Sequence, residues 1–242
     1  MKLRFAAVVL LPYSLAHGEP RFTQNDFGGV GLLQTPTARM APAGEFSLNA
    51  NRTDPYSRYS ISIQPLDWLE GSFRYTAISD RKYGAEALSG DQSYKDKAVD
   101  VKARLWQESH WLPEVALGFR DVGGTGLFSS EYFVANKRYY DLDFSLGVAW
   151  GYIGNRGDYK NPLGYLDERF DTRPVNTGAD AGNVNTGSYF RGSPALFGGV
   201  AYQTPWSPLS LKLEFDGNDY KHEPLNNSLK QDSPINIGRC SS

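Results

Sequence analysis

The feature that most constrains this chain is a period of two. In Glu45–Asn51, Phe46, Leu48 and Ala50 share one side, with polar residues between them. Tyr59, Ile61 and Ile63 alternate with Ser60 and Ser62, and Val99, Val101, Ala103 and Leu105 with Asp100, Lys102 and Arg104. Leu142, Phe144, Leu146, Val148 and Trp150 form a fourth set, and Leu209, Leu211, Leu213 and Phe215 a fifth. Successive side chains of a strand point to opposite faces, so this pattern predicts strands with one apolar face. Weaker runs place Leu69, Gly71, Phe73 and Tyr75 together, and Val115, Leu117 and Phe119 together. Segments 132–137 and 195–202 add two strands whose facing the pattern leaves open. About nine strands are expected between Gly44 and Asp216, with a tenth entered near Ser233.

The links between these strands sort by length. Short links at 65–67, 107–112, 138–141 and 204–208 alternate with a set that contains the long polar stretches 76–98 and 152–194. Short turns on one rim and long loops on the other are the habit of outer-membrane β-barrels, whose strands carry lipid-facing apolar residues on alternate positions. Trp68, Trp106, Trp111 and Trp206 sit at or beside short links, and Trp150 lies at the far end of its strand. Two interfacial aromatic girdles account for that placement; rings capping the core of a soluble sandwich are the alternative. The fold expected is all-β, an antiparallel outer-membrane-type barrel, incomplete in this chain. Leu142, Phe144, Leu146, Val148, Leu211 and Leu213 should then face lipid, and an Arg should be better tolerated at Ser145 or Lys212 than among them.

Residues 1–16 carry an address. Lys2 and Arg4 precede an apolar run, and Ser14-Leu15-Ala16 has the small-x-small pattern of a cleavage site, so this segment is expected to be a signal peptide. No later stretch approaches the ~20 apolar residues a membrane helix needs. The single cysteine, Cys240, forms no internal disulfide and does not follow the cleavage site as a lipidated residue would. Residues 17–43 are expected to be a periplasmic amino-terminal segment, 44–238 the barrel portion and 239–242 an atypical tail that suggests truncation.

Chemistry-bearing motifs are few. Positive and negative residues nearly cancel, at 25 against 27, which gives no footprint for nucleic acid. The glycines of 28–31 and 123–126 lack the spacing of a nucleotide-binding loop and no Lys-Ser or Lys-Thr follows them; both read as tight turns. His17, His110 and His222 are scattered, without partners at metal-ligand or triad spacing. Asp180, Asn183 and Asn185 offer oxygen ligands in a Gly-rich stretch, but not at the spacing of a calcium loop, and a surface loop is preferred. Asp67, Glu70, Asp100, Glu114 and Asp121 fall at strand ends or on polar faces, where lumen-facing charge accounts for them. No catalytic, cofactor-binding or metal-ligating residue is assigned, and the chain is not expected to be an enzyme.

Several stretches together resemble the YjbH and GfcD family of outer-membrane proteins of exopolysaccharide and group 4 capsule systems. They are Gly28–Arg39 (GGVGLLQTPTAR), Asp67–Tyr75 (DWLEGSFRY), Ser89–Lys97 (SGDQSYKDK), Gly118–Tyr132 (GFRDVGGTGLFSSEY), Phe144–Tyr152 (FSLGVAWGY) and Leu213–Tyr220 (LEFDGNDY). The resemblance implies a role in polysaccharide export, with outer-membrane lipid, export components and an exopolysaccharide ligand as partners, and it brings no cofactor. A periplasmic or surface polysaccharide-binding β-protein is the second reading. A carboxylate-based glycan-modifying enzyme is the third. Family members are longer than this chain.

Overall fold

The computed structural model describes residues 22–174, 184, 186–206 and 208–241. The expected signal peptide and the Asp180, Asn183 and Asn185 cluster lie outside them. The chain forms ten strands: β1 (Phe46–Thr53), β2 (Tyr56–Leu66), β3 (Leu69–Lys82), β4 (Ser93–Trp106), β5 (Glu114–Arg120), β6 (Ser130–Tyr139), β7 (Leu142–Gly151), β8 (Ala195–Gln203), β9 (Leu209–Phe215) and β10 (Ile235–Ser241). They make one antiparallel sheet in sequence order. Among the described residues β1 and β10 are the two edges and do not pair with each other, so the barrel expected from sequence is here an unclosed ten-stranded sheet.

Two boundaries differ from the sequence reading, and one facing left open there is now fixed. The tenth strand is formed over Ile235–Ser241, and Arg239 and Cys240 of the supposed tail pair with Leu211 and Ser210. The long polar link 76–98 is mostly strand: Thr76 pairs with Asp96 and Ile78 with Tyr94, leaving a loop at 83–92 that holds the one-turn α1 (Glu86–Ser89). Segments 132–137 and 195–202 are strands, with Tyr132, Val134, Asn136 and Phe197 on the buried side.

The two faces invert the pattern of a water-soluble protein. Phe46, Leu48, Ile61, Ile63, Phe73, Phe144, Leu146, Leu211, Leu213 and Ile237 are exposed. Their neighbours in sequence, among them Ser60, Ser62, Arg74, Ser145, Lys212 and Glu214, are buried. What covers this polar face is the chain's own segment 23–40, the plug, followed by a bend into β1. Small residues make room on the same face. A Cβ at Gly118 would stand 2.1 Å from the Tyr132 ring, and one at Gly147 would stand 2.3 Å from Phe197. Tyr132, Val134 and Phe197 then pack with Ala38 and Met40 of the plug, together with Ala116, Ala149 and Ile153.

Candidate functional site

The plug contains the glycine-rich stretch singled out in the sequence, and it has little regular structure: two isolated bridges, Gln24 to Val30 and Gly31 to Pro36. A buried backbone without a ladder needs other partners for its N–H and C=O groups. The strands supply them as charges. The Glu214 carboxylate accepts from the amides of Leu33 (2.9 Å), Gln34 (3.0 Å) and Thr35 (2.9 Å) and from the Thr35 hydroxyl (2.8 Å). Two positions earlier on the same strand face, Lys212 donates to the carbonyls of Gly31 (2.9 Å) and Leu32 (2.6 Å). Across the sheet, Glu70 accepts from the Val30 amide (3.1 Å), and Lys102 donates to the Arg39 carbonyl (2.9 Å). Glu70 and Lys102 also pair with each other at 3.2 Å. Strands β3, β4 and β9 thus grip one short segment from different parts of the sheet.

Near the short-link rim the plug ends in an ion cluster. Arg39 Nε and Nη2 fork onto Asp143 (2.9 and 2.8 Å), Nη1 donates to Glu114 (2.7 Å), and Nη2 also reaches Glu108 (2.6 Å). Burial alone would lower the guanidinium's affinity for its proton, but these carboxylates outweigh it and the net direction is up. At the long-loop rim the plug presents Phe27, packed with Tyr56, Ile78, Phe128 and Tyr152. Three guanidinium groups meet that ring: Arg58 at 4.4 Å, Arg74 at 4.8 Å and Arg120 at 3.7 Å from its centroid.

The loops beside this cluster hold carboxyls away from water. Burial, and then the nearby Asp96 carboxylate, push Asp121 up to about 7. Asp216 is raised to about 6, chiefly by burial, against the lowering effect of its bond from the Tyr220 hydroxyl (2.5 Å). Glu223 is also raised by burial, although the hydroxyls of Tyr56 and Tyr152 donate to it.

Of the carboxylates weighed in the sequence, Glu70 and Glu114 hold the plug and Asp121 and Asp100 line the Phe27 cluster. Asp67 sits in the β2–β3 turn. His110 and His222 lie on loops, and no group of three or more His, Cys, Asp or Glu suited to a metal occurs among the described residues. Trp68, Trp106, Trp111 and Trp206 are exposed at the short-link rim. Trp150 is not: Phe190 of the long loop covers it, with ring centroids 5.3 Å apart. The same loop neutralises Glu131 through a two-pronged bond from Arg173 (2.7 and 2.8 Å). Sequence reasoning missed the roles of Phe27, Arg39, Lys212 and Glu214, whose partners are remote in the chain.

The chain matches the family described as "Exopolysaccharide biosynthesis protein YbjH" over residues 23–240, from the plug to β10. It belongs to that family. It is also 54% identical over 217 residues to the "Uncharacterized lipoprotein YjbH" of Escherichia coli (strain K12), a match covering 89% of this chain and 31% of that protein. The chain therefore spans about a third of the length of this curated relative. No solved structure matches it.

Proposed function

We propose that the chain is a section of an outer-membrane β-barrel wall, with its plug, that serves exopolysaccharide or capsule biosynthesis and export in a structural or transport role and not as an enzyme. The observation that carries this reading is the inverted sheet. Ten strands present Phe, Leu and Ile outward and bury Arg, Lys, Glu and Ser against the plug. In water such a surface costs roughly 25 cal/mol per Å² of exposed apolar area, whereas in a bilayer the same surface is solvated. The four exposed rim tryptophans suit a headgroup layer. No described helix is long and apolar enough to cross a membrane, so spanning falls to the strands. Membership of an exopolysaccharide biosynthesis family supports the process, and the relative's designation as a lipoprotein supports a membrane setting. Export through the expected signal peptide, association with polysaccharide export components and contact with the polymer belong to the same proposal.

Membrane fractionation tests it. The protein is expected in the outer-membrane fraction, extractable by detergent and resistant to high-salt and alkaline washes. Release by salt alone would favour the second reading, a peripheral polysaccharide-binding β-protein.

A further inference from the structure

We propose that Arg58, Arg74 and Arg120 form a cradle on the sheet's inner face for a carboxylate-bearing sugar unit, and that the Phe27 ring holds its seat in this conformation. The inference rests on the reading of the sheet as an exopolysaccharide-handling wall and names the chemistry of what it handles. Strands β2 and β3 and the end of β5 bring three cations onto one plug ring, at 4.4, 4.8 and 3.7 Å. All three side chains are buried. Burying like charges together is costly unless each is paired and hydrogen-bonded.

The pairing is incomplete in a specific way. Arg39, elsewhere in the plug, has its whole Nε/Nη2 edge filled by Asp143. Arg74 gives only Nη1 to Asp100 (2.6 Å), and the buried Nε and Nη2 of its free edge have no partner. That edge is the fork that matches a carboxylate with two parallel bonds. Nε and Nη1 of Arg58 are likewise unpartnered, as are the hydroxyls of Ser60 and Thr76, the cross-strand neighbours of Arg74 and Arg58. A phenyl ring compensates a buried cation only in part and makes no hydrogen bond to it.

Unpartnered acceptors stand beside the donors. Asp96 Oδ2 and Asp121 Oδ1 are buried without hydrogen bonds, although Asp96 Oδ1 bonds Thr125 and Asp121 Oδ2 takes the Phe128 amide. A bare inorganic anion would satisfy the arginines and leave these carboxyls unmet. A sugar acid satisfies both, with its carboxylate on the guanidiniums and its hydroxyls donating to Asp96 and Asp121. A pyranose ring is about the size of the phenyl ring it would replace. Phe27 sits on the tight turn Asn25–Gly29, closed by a bond from the Asn25 amide to the Gly29 carbonyl (2.9 Å), and binding requires this plug tip to rearrange and clear the seat.

The test uses the full chain folded in detergent, titrated calorimetrically with oligogalacturonate and with a neutral dextran oligomer of equal length. Phe27→Ala is expected to bind oligogalacturonate about tenfold more tightly than the unaltered protein, a gain that Arg74→Gln in the same background removes. Dextran should show no gain. In the unaltered protein, saturating oligogalacturonate should speed hydrogen exchange at residues 25–29 as Phe27 leaves. An equal gain for dextran, or no gain together with unchanged exchange at the plug tip, overturns the cradle. Bilayer insertion of the same preparations is read separately: loss of uronate binding in a protein that inserts refutes the cradle alone, whereas failure to insert refutes the barrel reading.

Discussion

At Glu214 one fully buried carboxylate accepts from three consecutive backbone amides and a hydroxyl. Hydrogen bonds to a charged acceptor are worth roughly 1.5–3 kcal/mol each, and removing one member of a buried charged set leaves the other uncompensated. Glu214→Ala is therefore expected to cost about 3–5 kcal/mol, since it leaves three buried plug amides and the Thr35 hydroxyl without their charged acceptor. Denaturant titration should read the loss, and proteolysis should show cleavage within residues 30–37; an unchanged midpoint would refute the assigned anchor. Asp121 gives a pH prediction. Its folded pKa, about 7, lies above its unfolded value, so the folded state binds more protons between roughly pH 4 and 7. Its contribution to stability is complete below that window and is lost as pH rises through 7. The 121–128 loop should exchange amide hydrogens faster at pH 8 than at pH 6, after correction for intrinsic rates, and Asp121→Asn should flatten the dependence. Phe27 and Arg39 illustrate what residues show by themselves. Nothing adjacent in sequence marks them, because Phe27 meets arginines from three strands and Arg39 meets carboxylates 69, 75 and 104 positions away.

At the scale of the element, alternation was a reliable guide because the sheet's two faces differ so sharply. Phe144 and Leu146 are exposed and Ser145 is buried, as the pattern demands. The pattern faltered where both faces are polar: in 76–98, Lys95, Asp96 and Lys97 hide the extension of the β3–β4 hairpin. It also misjudged Trp150, since periodicity says nothing of a remote loop folding over a strand end. The expectation that Ser145 tolerates Arg assumed an open lumen. The polar face is instead packed, with Leu32 of the plug close to Gly199 opposite Ser145. Leu146→Arg should cost about 2–4 kcal/mol in a bilayer and much less in a polar-headed micelle. Ser145→Arg should destabilise in both, because it overfills a packed face. Comparison of unfolding in the two media separates them; tolerance of Ser145→Arg in micelles would show the face to be less filled than described. Gly118→Ala belongs with it. The added methyl meets Tyr132 at 2.1 Å, and a loss of about 1–3 kcal/mol is expected in any medium, measurable by thermal unfolding.

For the whole molecule the question is whether the plug is cargo in a preformed wall or part of what makes the wall fold. The sheet without the plug would leave Glu70, Lys102, Lys212 and Glu214 on one face with only part of their partners. Glu70 and Lys102 would keep each other at 3.2 Å, but Glu214 would keep only its bond from Asn236 (3.0 Å). The aliphatic and aromatic core would lose Ala38 and Met40 from one end and Phe27 from the other. An outer-membrane wall with a water-filled lumen solvates such charges, and then the plug can leave without collapse. A wall whose small inward residues, Gly118, Gly147, Ala149 and Ala195, are shaped around packed rings has no such lumen ready. The packing argues that segment 23–40 folds with the sheet. A protein lacking residues 23–40 should accordingly fail to reach the protease-resistant state in detergent, and a synthetic peptide of those residues, added during refolding, should restore it. The Glu214→Ala protein should not respond to the peptide, because the carboxylate that captures residues 33–35 is gone. If the shortened protein is as protease-resistant as the full chain without the peptide, the plug is an occupant and not a core, and the charged grip on its backbone serves its retention alone.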